Sequence, residues 1–157
     1  MKLRSGGQTG VDLVALDVAL ELNLPCGGWC PKGRRAENGP IPSKYPLEES
    51  TSTDYKQRTE WNVRDSDGTL ILTTGLPTGG TALTIEYAEQ HKRPCLVVDL
   101  DLPIDMQVVK EWILSNQIYE LNVAGPRASK QPRIYNMAVE FLRNLIPQLN
   151  GKSSTRS

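Results

Sequence analysis

The chain alternates between short apolar segments with strand character and longer segments with helical spacing, almost from end to end. This alternation predicts βαβ units, which form a parallel sheet through right-handed crossovers and cover both of its faces with helices. With 157 residues, the chain has the length of one domain. We therefore predict a single α/β domain over residues 1–149, a doubly wound parallel sheet of about five strands, followed by a flexible polar tail over residues 150–157.

The elements follow from local patterns. The apolar run at residues 68–74 predicts a buried strand, and apolar residues recur at helical spacing over residues 132–149. Residues 31–54 have neither pattern and are rich in proline and glycine; a loop of this length is typical of a functional lid or arm. The predicted strands are 2–5, 26–29, 68–74, 94–100 and 118–123, and the predicted helices are 11–22, 55–64, 81–91, 105–115 and 132–149.

Charge and cysteine content exclude several classes of protein. Lys plus Arg equals Asp plus Glu at 18 each, so the formal net charge is zero, and we predict no nucleic-acid partner. No apolar run approaches the roughly 20 residues of a membrane helix, so we predict no membrane partner. Three cysteines without a signal-peptide pattern indicate a reducing compartment, and we expect a cytoplasmic protein.

Two glycine-rich turns each connect a predicted strand to the predicted helix that follows it. Glycine lets a backbone approach a ligand closely, and a helix start presents free N–H groups and a positive dipole end. Both turns are predicted at the carboxyl edge of the sheet, where ligands of such sheets bind. They predict a pocket for a small anionic phosphorylated ligand. The binding candidates are Gly6, Gly7, Gln8 and Thr9 in the first turn, and Gly79, Gly80 and Thr81 in the second.

Basic residues follow two of the other strands. Lys32, Arg34 and Arg35 come after the second predicted strand, and Arg127 comes after the fifth. Arginine grips phosphate through two parallel hydrogen bonds, so we add these four residues to the binding candidates. The alternative is that the basic run is a solvated surface.

The first turn has two possible roles, binding a ligand and capping the helix that follows, and the sequence leaves both open. Thr9 and Asp12 match a capping box, in which Thr9 serves the helix and not a ligand.

Metal and catalytic sites have little support in the sequence. Cys26 and Cys30 lack the spacing of a redox or zinc pair, and His91 is the single histidine. We predict no metal site and no catalytic residue, since no local constellation supports nucleophilic or acid–base catalysis.

Six blocks of the sequence resemble the family of molybdenum cofactor carriers. They are SGGQTGVD (5–12), GGWCPKGRRAENGPIP (27–42), YPLEE (45–49), RTEWNVRDSDGTLI (58–71), GGT (79–81) and NVAGPRAS (122–129). The resemblance implies a Rossmann-like fold, assembly into homodimers or homotetramers, and binding of the molybdenum cofactor (molybdopterin), a phosphorylated pterin that carries a dithiolene-bound metal oxide. Molybdoenzymes are the implied partners.

The same fold group contains lysine-decarboxylase-like proteins and cytokinin-activating phosphoribohydrolases. These hydrolases carry a Pro-Gly-Gly-x-Gly-Thr-x-x-Glu motif, whereas here Gly80 and Thr81 lead to Thr84 at the position of the acid. Glu86 lies two residues further along and faces elsewhere at helical spacing. We therefore expect a non-enzymatic carrier. The alternatives are a nucleotide or nucleotide-sugar binding protein or hydrolase of the same fold, and an oligomeric scaffold.

Overall fold

A computed structural model describes the backbone of residues 1–155 and the side chains of residues 1–149. In chain order the elements are β1 (Lys2–Arg4), α1 (Val11–Glu21), β2 (Cys26–Gly27), β3 (Trp29–Cys30), β4 (Arg35–Ala36), β5 (Gly39–Pro40), β6 (Glu48–Glu49), α2 (Tyr55–Arg64), β7 (Gly68–Thr73), α3 (Gly79–Gln90), β8 (Cys95–Asp99), α4 (Met106–Ser115), β9 (Glu120–Ala124) and α5 (Ile134–Thr155).

The main sheet has five parallel strands in the order β2-β1-β9-β7-β8, which confirms the predicted α/β fold. The chain leaves β1 towards one edge of the sheet and leaves β7 towards the other, with β9 between them. Strand order therefore reverses around β9, and the carboxyl ends of β1, β9 and β7 meet at the middle of the sheet. In open parallel sheets this is where ligands bind.

Alternating residues of the central strands serve the two faces. Leu70 and Leu72 of β7 join Leu121 and Val123 of β9 in a fully buried core with α1, α4 and α5. Ile71 and Thr73 point to the opposite face, where α2 and α3 pack against each other. Every residue of β7 is buried, as a strand covered on both faces requires.

The segment predicted as irregular is an arm (residues 31–54) that packs on the domain. Two short ladders shape its beginning and end, the antiparallel β4–β5 pair and the parallel β3–β6 pair. Ile41, Tyr45 and Leu47 of the arm are buried with Leu16 of α1 and Cys30. The predicted second strand, 26–29, is consequently divided, because β2 pairs with β1 whereas β3 pairs with β6 of the arm.

The last helix is longer than its apolar spacing predicts. It extends to Thr155 and includes Pro147, so it passes the predicted boundary after Leu149. The flexibility of residues 150–157 stays a prediction, and residues 156 and 157 lie outside the described part of the chain. Within the described residues, every helix is too short or too polar to cross a membrane.

Candidate ligand-binding site

A cavity of about 380 Å³ lies at the carboxyl ends of β1, β9 and β7. The sheet contributes Thr73, Asn122 and Ala124 to its lining. Tyr55, Arg58 and Asn62 of α2 line it from one side, and the start of α3 and the loop after β9 complete it. The cavity is therefore assembled from segments that are far apart in the sequence.

The second glycine turn opens α3 directly onto this cavity. Gly79, Gly80 and Thr81 all line it. The Thr81 N–H donates to the Thr78 carbonyl at 3.1 Å, whereas the N–H groups of Gly79 and Gly80 have no acceptor among the described residues. Gly79 has a φ of +54°, a left-handed conformation that glycine adopts without strain. Two free N–H groups at a helix start are the arrangement that the sequence predicts for binding an anion.

The first glycine turn uses three consecutive backbone donors internally. The Gly7 N–H donates to the Ser5 hydroxyl at 3.2 Å, and the Gln8 N–H donates to Asp12 Oδ2 at 3.2 Å. The Thr9 N–H is taken by the Gln8 side-chain carbonyl at 3.0 Å. Gly6 and Gln8 line the cavity, but Gly7 lies against Leu47 and Ile41 of the arm. This turn contributes side chains and shape to the cavity and not a row of free amides.

The capping box, the alternative that the sequence left open for Thr9 and Asp12, is not formed. Helix α1 is capped by Gly10 without any side-chain hydrogen bond. The Thr9 hydroxyl instead accepts the Ala128 N–H at 3.0 Å and donates to the Glu37 carboxylate. With Gly10 as the N-cap, Asp12 lies one residue short of the capping-box position, and its carboxylate accepts from Arg58. Thr9 and Asp12 therefore form hydrogen bonds with residues distant in the sequence and do not cap the helix.

A buried ion pair forms one wall of the cavity. Arg58 Nη1 lies 3.1 Å from Asp12 Oδ2, and each residue is only 7% exposed. Burial raises the pKa of Asp12, and the Arg58 guanidinium and the Gln8 N–H offset part of this effect. A Cβ on Gly6 would lie 1.9 Å from Arg58 Nη1, so Gly6 is glycine because the guanidinium passes over it.

The basic residues divide into those at the cavity and those at the arm. Arg127 lines the cavity, as does Lys130, and Arg127 Nε also lies 3.4 Å from Glu37 Oε1. Arg34 donates instead to the carbonyls of Pro42, Tyr45 and Leu47 in the arm. The exposed Lys32 and Arg35 do not line the cavity either. The structure therefore brings Arg127 to the glycine turns and leaves the 32–35 run apart from them.

Three cavity residues of clear chemical character were not predicted from the sequence: Arg58, Lys130 and Tyr55. A usable signal for the first was present in α2. Tyr55, Arg58, Thr59 and Asn62 are spaced three and four apart, so they share one face of that helix. A helix that buries polar side chains such as Arg58 and Asn62 needs polar surroundings beneath that face.

The cavity offers little acid–base chemistry. Asp12 supplies the one carboxylate of its lining, and Thr84, at the position of the hydrolase acid, lines it with a hydroxyl that donates to the Gly80 carbonyl. Glu86 is exposed, as expected. Among the side chains that the structure describes, no three His, Cys, Asp or Glu residues are grouped to hold a metal ion.

Comparison with known proteins identifies the family of this chain. The sequence model of the circularly permutated YpsA SLOG family matches residues 3–146. The chain belongs to this family. It also matches the crystal structure of the "putative molybdenum carrier protein" from Syntrophus aciditrophicus SB with a TM-score of 0.88 and 49% identity, over 92% of this chain and 94% of that one. No curated protein matches the sequence. The resemblance to molybdenum carriers and the predicted fold are thereby confirmed.

Proposed function

We propose that this protein is a carrier that binds the molybdenum cofactor, a phosphorylated pterin, in the cavity at the carboxyl edge of its sheet. The observation that carries the proposal is the pair of free N–H groups of Gly79 and Gly80 at the start of α3. They open onto a cavity that also contains the cationic side chains of Arg127 and Lys130. The phosphate of the ligand is bound there, by main-chain amides and positive charge.

The rest of the cavity suits the remainder of such a ligand. Its volume of about 380 Å³ lies in the range of small-molecule sites. Tyr55 is 43% exposed, and its ring lies 3.6 Å from the position of a Cβ on Gly80. It offers an aromatic face to a planar ring system. The related carrier, 49% identical over most of both chains, supports the same role for this protein.

Calorimetry with purified molybdenum cofactor under anaerobic conditions tests the proposal. The unaltered protein should bind the cofactor saturably, one per cavity. The double variant Arg127→Ala/Lys130→Ala should lose about 10-fold to 100-fold in affinity, since each charge-assisted contact contributes on the order of 1 kcal/mol. Arg143→Ala is the matched control, because Arg143 pairs with Glu21 away from the cavity. Equal affinity of the double variant and the control would contradict the proposed phosphate site.

A hydrolase remains the second candidate because of one observation. Asp12 is a buried carboxylate in the cavity whose pKa is raised by burial, as is typical of general bases. Incubation with nucleoside monophosphates, followed by measurement of free base and ribose phosphate, separates the two functions. The carrier proposal expects no release above that of the Asp12→Asn variant. Turnover that depends on Asp12 would favour the hydrolase.

A further inference from the structure

We propose that Asp12 and Arg58 recognise the lactam edge of a bound heterocycle, that is, a ring N–H beside a ring carbonyl. The class includes pterins and oxopurines and excludes adenine-like rings. This inference rests on the proposed function, because it assigns the ring end of the same ligand whose phosphate lies at α3. It makes the ion pair a determinant of specificity.

The pair is held so that one atom of each partner stays available. Arg58 donates through Nη1 to Asp12 Oδ2 at 3.1 Å and through Nε to the Tyr55 carbonyl at 3.2 Å. Asp12 Oδ2 also accepts the Gln8 N–H. Arg58 Nη2 and Asp12 Oδ1 have no hydrogen-bond partner among the described side chains and backbone.

Both of these atoms keep accessible surface on residues that line the cavity. In the part of the chain whose side chains are described, Thr74 Oγ1 is the one fully buried polar side-chain atom without a partner, so Nη2 and Oδ1 both retain accessible surface. Asp12 and Arg58 are each 7% exposed and both line the cavity, which is therefore where that surface lies. The two paired side chains thus offer the cavity one donor and one acceptor.

A lactam is the complement of this arrangement. Its ring N–H donates to Oδ1, and its carbonyl accepts from Nη2. An adenine edge is reversed, with a ring acceptor beside an amino donor, and it would set acceptor against acceptor and donor against donor. A site built to pair with one polar edge rejects the reversed edge strongly, because its own buried groups are then left unpaired.

Inosine and adenosine monophosphate are matched probes, since they share ribose and phosphate and differ at this edge. Calorimetry of the unaltered protein should give about tenfold or more tighter binding of inosine monophosphate. Neopterin monophosphate, a pterin with the same lactam edge, should compete with it. Equal affinities for the two nucleotides, or no binding of any of the three phosphates, would overturn the inference. The proposed carrier function is decided separately, by the titration with the molybdenum cofactor.

The variant Asp12→Asn sharpens the test. The position of Oδ2 receives two donors, Arg58 Nη1 and the Gln8 N–H, so the amide oxygen must occupy it. The amide NH₂ is then turned to the cavity, and the acceptor there becomes a donor. The preference for inosine monophosphate should fall at least about tenfold.

Asp17→Asn is the control on the same helix, because Asp17 accepts from Tyr45 and Tyr135 outside the cavity. It should keep the preference of the unaltered protein. A preference retained in Asp12→Asn would contradict the inference. Should that variant fail to fold, the comparison of the two nucleotides on the unaltered protein decides alone.

Discussion

The two glycine turns look alike in the sequence and do different work in the fold. In the first, three consecutive N–H groups are used within the turn, those of Gly7, Gln8 and Thr9. In the second, Gly79 and Gly80 keep theirs free at a helix start. The first turn is glycine-rich because other parts of the chain approach it closely, whereas the second leaves open space at Gly79 and only van der Waals contact at Gly80. The two turns therefore differ in how many consecutive amides the fold has already paired.

The largest expected difference between the two turns is in how much a glycine-to-alanine substitution lowers the free energy of unfolding. A Cβ on Gly10 would lie 2.3 Å from the Pro126 carbonyl oxygen, and Gly10 has a φ of +80°. Gly10→Ala should cost about 3 kcal/mol through left-handed strain and overpacking. Gly80→Ala should change stability by less than about 1 kcal/mol, since it meets only Tyr55 at 3.6 Å. Urea denaturation measures both, and similar losses for the two variants would remove the distinction.

The next effect is on ligand affinity. Gly80→Pro removes one free N–H from the first turn of α3, a position where proline is tolerated. It should weaken the binding of the phosphorylated ligand about tenfold, by loss of one charge-assisted hydrogen bond. Gly80→Ala, which keeps the N–H, is the control and should bind as the unaltered protein does. Calorimetry compares the two, and equal affinities would show that this amide does not contact the phosphate.

Arg34 tests whether the basic run belongs to the arm or to the site. It holds the carbonyls of Pro42, Tyr45 and Leu47, so Arg34→Ala should lower the free energy of unfolding by about 1–2 kcal/mol. Ligand affinity should not change, because Arg34 does not line the cavity. Arg35→Ala, an exposed neighbour, should change neither quantity. A loss of ligand affinity in a fully folded Arg34→Ala variant would show that the basic run at residues 32–35 does take part in binding.

The smallest effect concerns the link between the first turn and the arm. Hydrogen bonds from Ser129 and Thr9 lower the pKa of Glu37 below its usual 4.5. Its contribution to stability is therefore present above pH 4.5 and is lost as pH falls through the lowered value. Glu37→Gln should be less stable than the unaltered protein near neutral pH by under about 1 kcal/mol. Thermal unfolding across pH should show this gap closing in acid; a gap independent of pH would exclude the carboxylate as its source.

Much of the fold could be predicted from sequence because its signals are local. The periodicity of α5 and the apolar run of β7 needed no knowledge of their partners, and both were predicted near their observed positions. The arm could not be predicted in the same way. Ile41, Tyr45 and Leu47 have no regular spacing, and they are buried only because Leu16 and Cys30 lie beneath them.

The candidate site was predictable in part for a related reason. Loops that follow parallel strands must meet at one edge, so Gly6, Gly79, Gly80 and Arg127 were expected there, and all four line the cavity. Arg58 lies within a helix and not in such a loop, and its pairing with Asp12 spans 46 positions of the chain. Nothing local to either residue reveals that they touch.

The sequence alone determined the alternation of strands and helices, the parallel sheet and the edge at which its loops converge, because backbone periodicity and crossover handedness act over short stretches of chain. The tertiary structure decided which amides stay free, which cations enter the cavity and which carboxylate is buried beside an arginine. Those outcomes depend on competition among distant hydrogen-bonding partners, and that competition is resolved only when the segments are packed together.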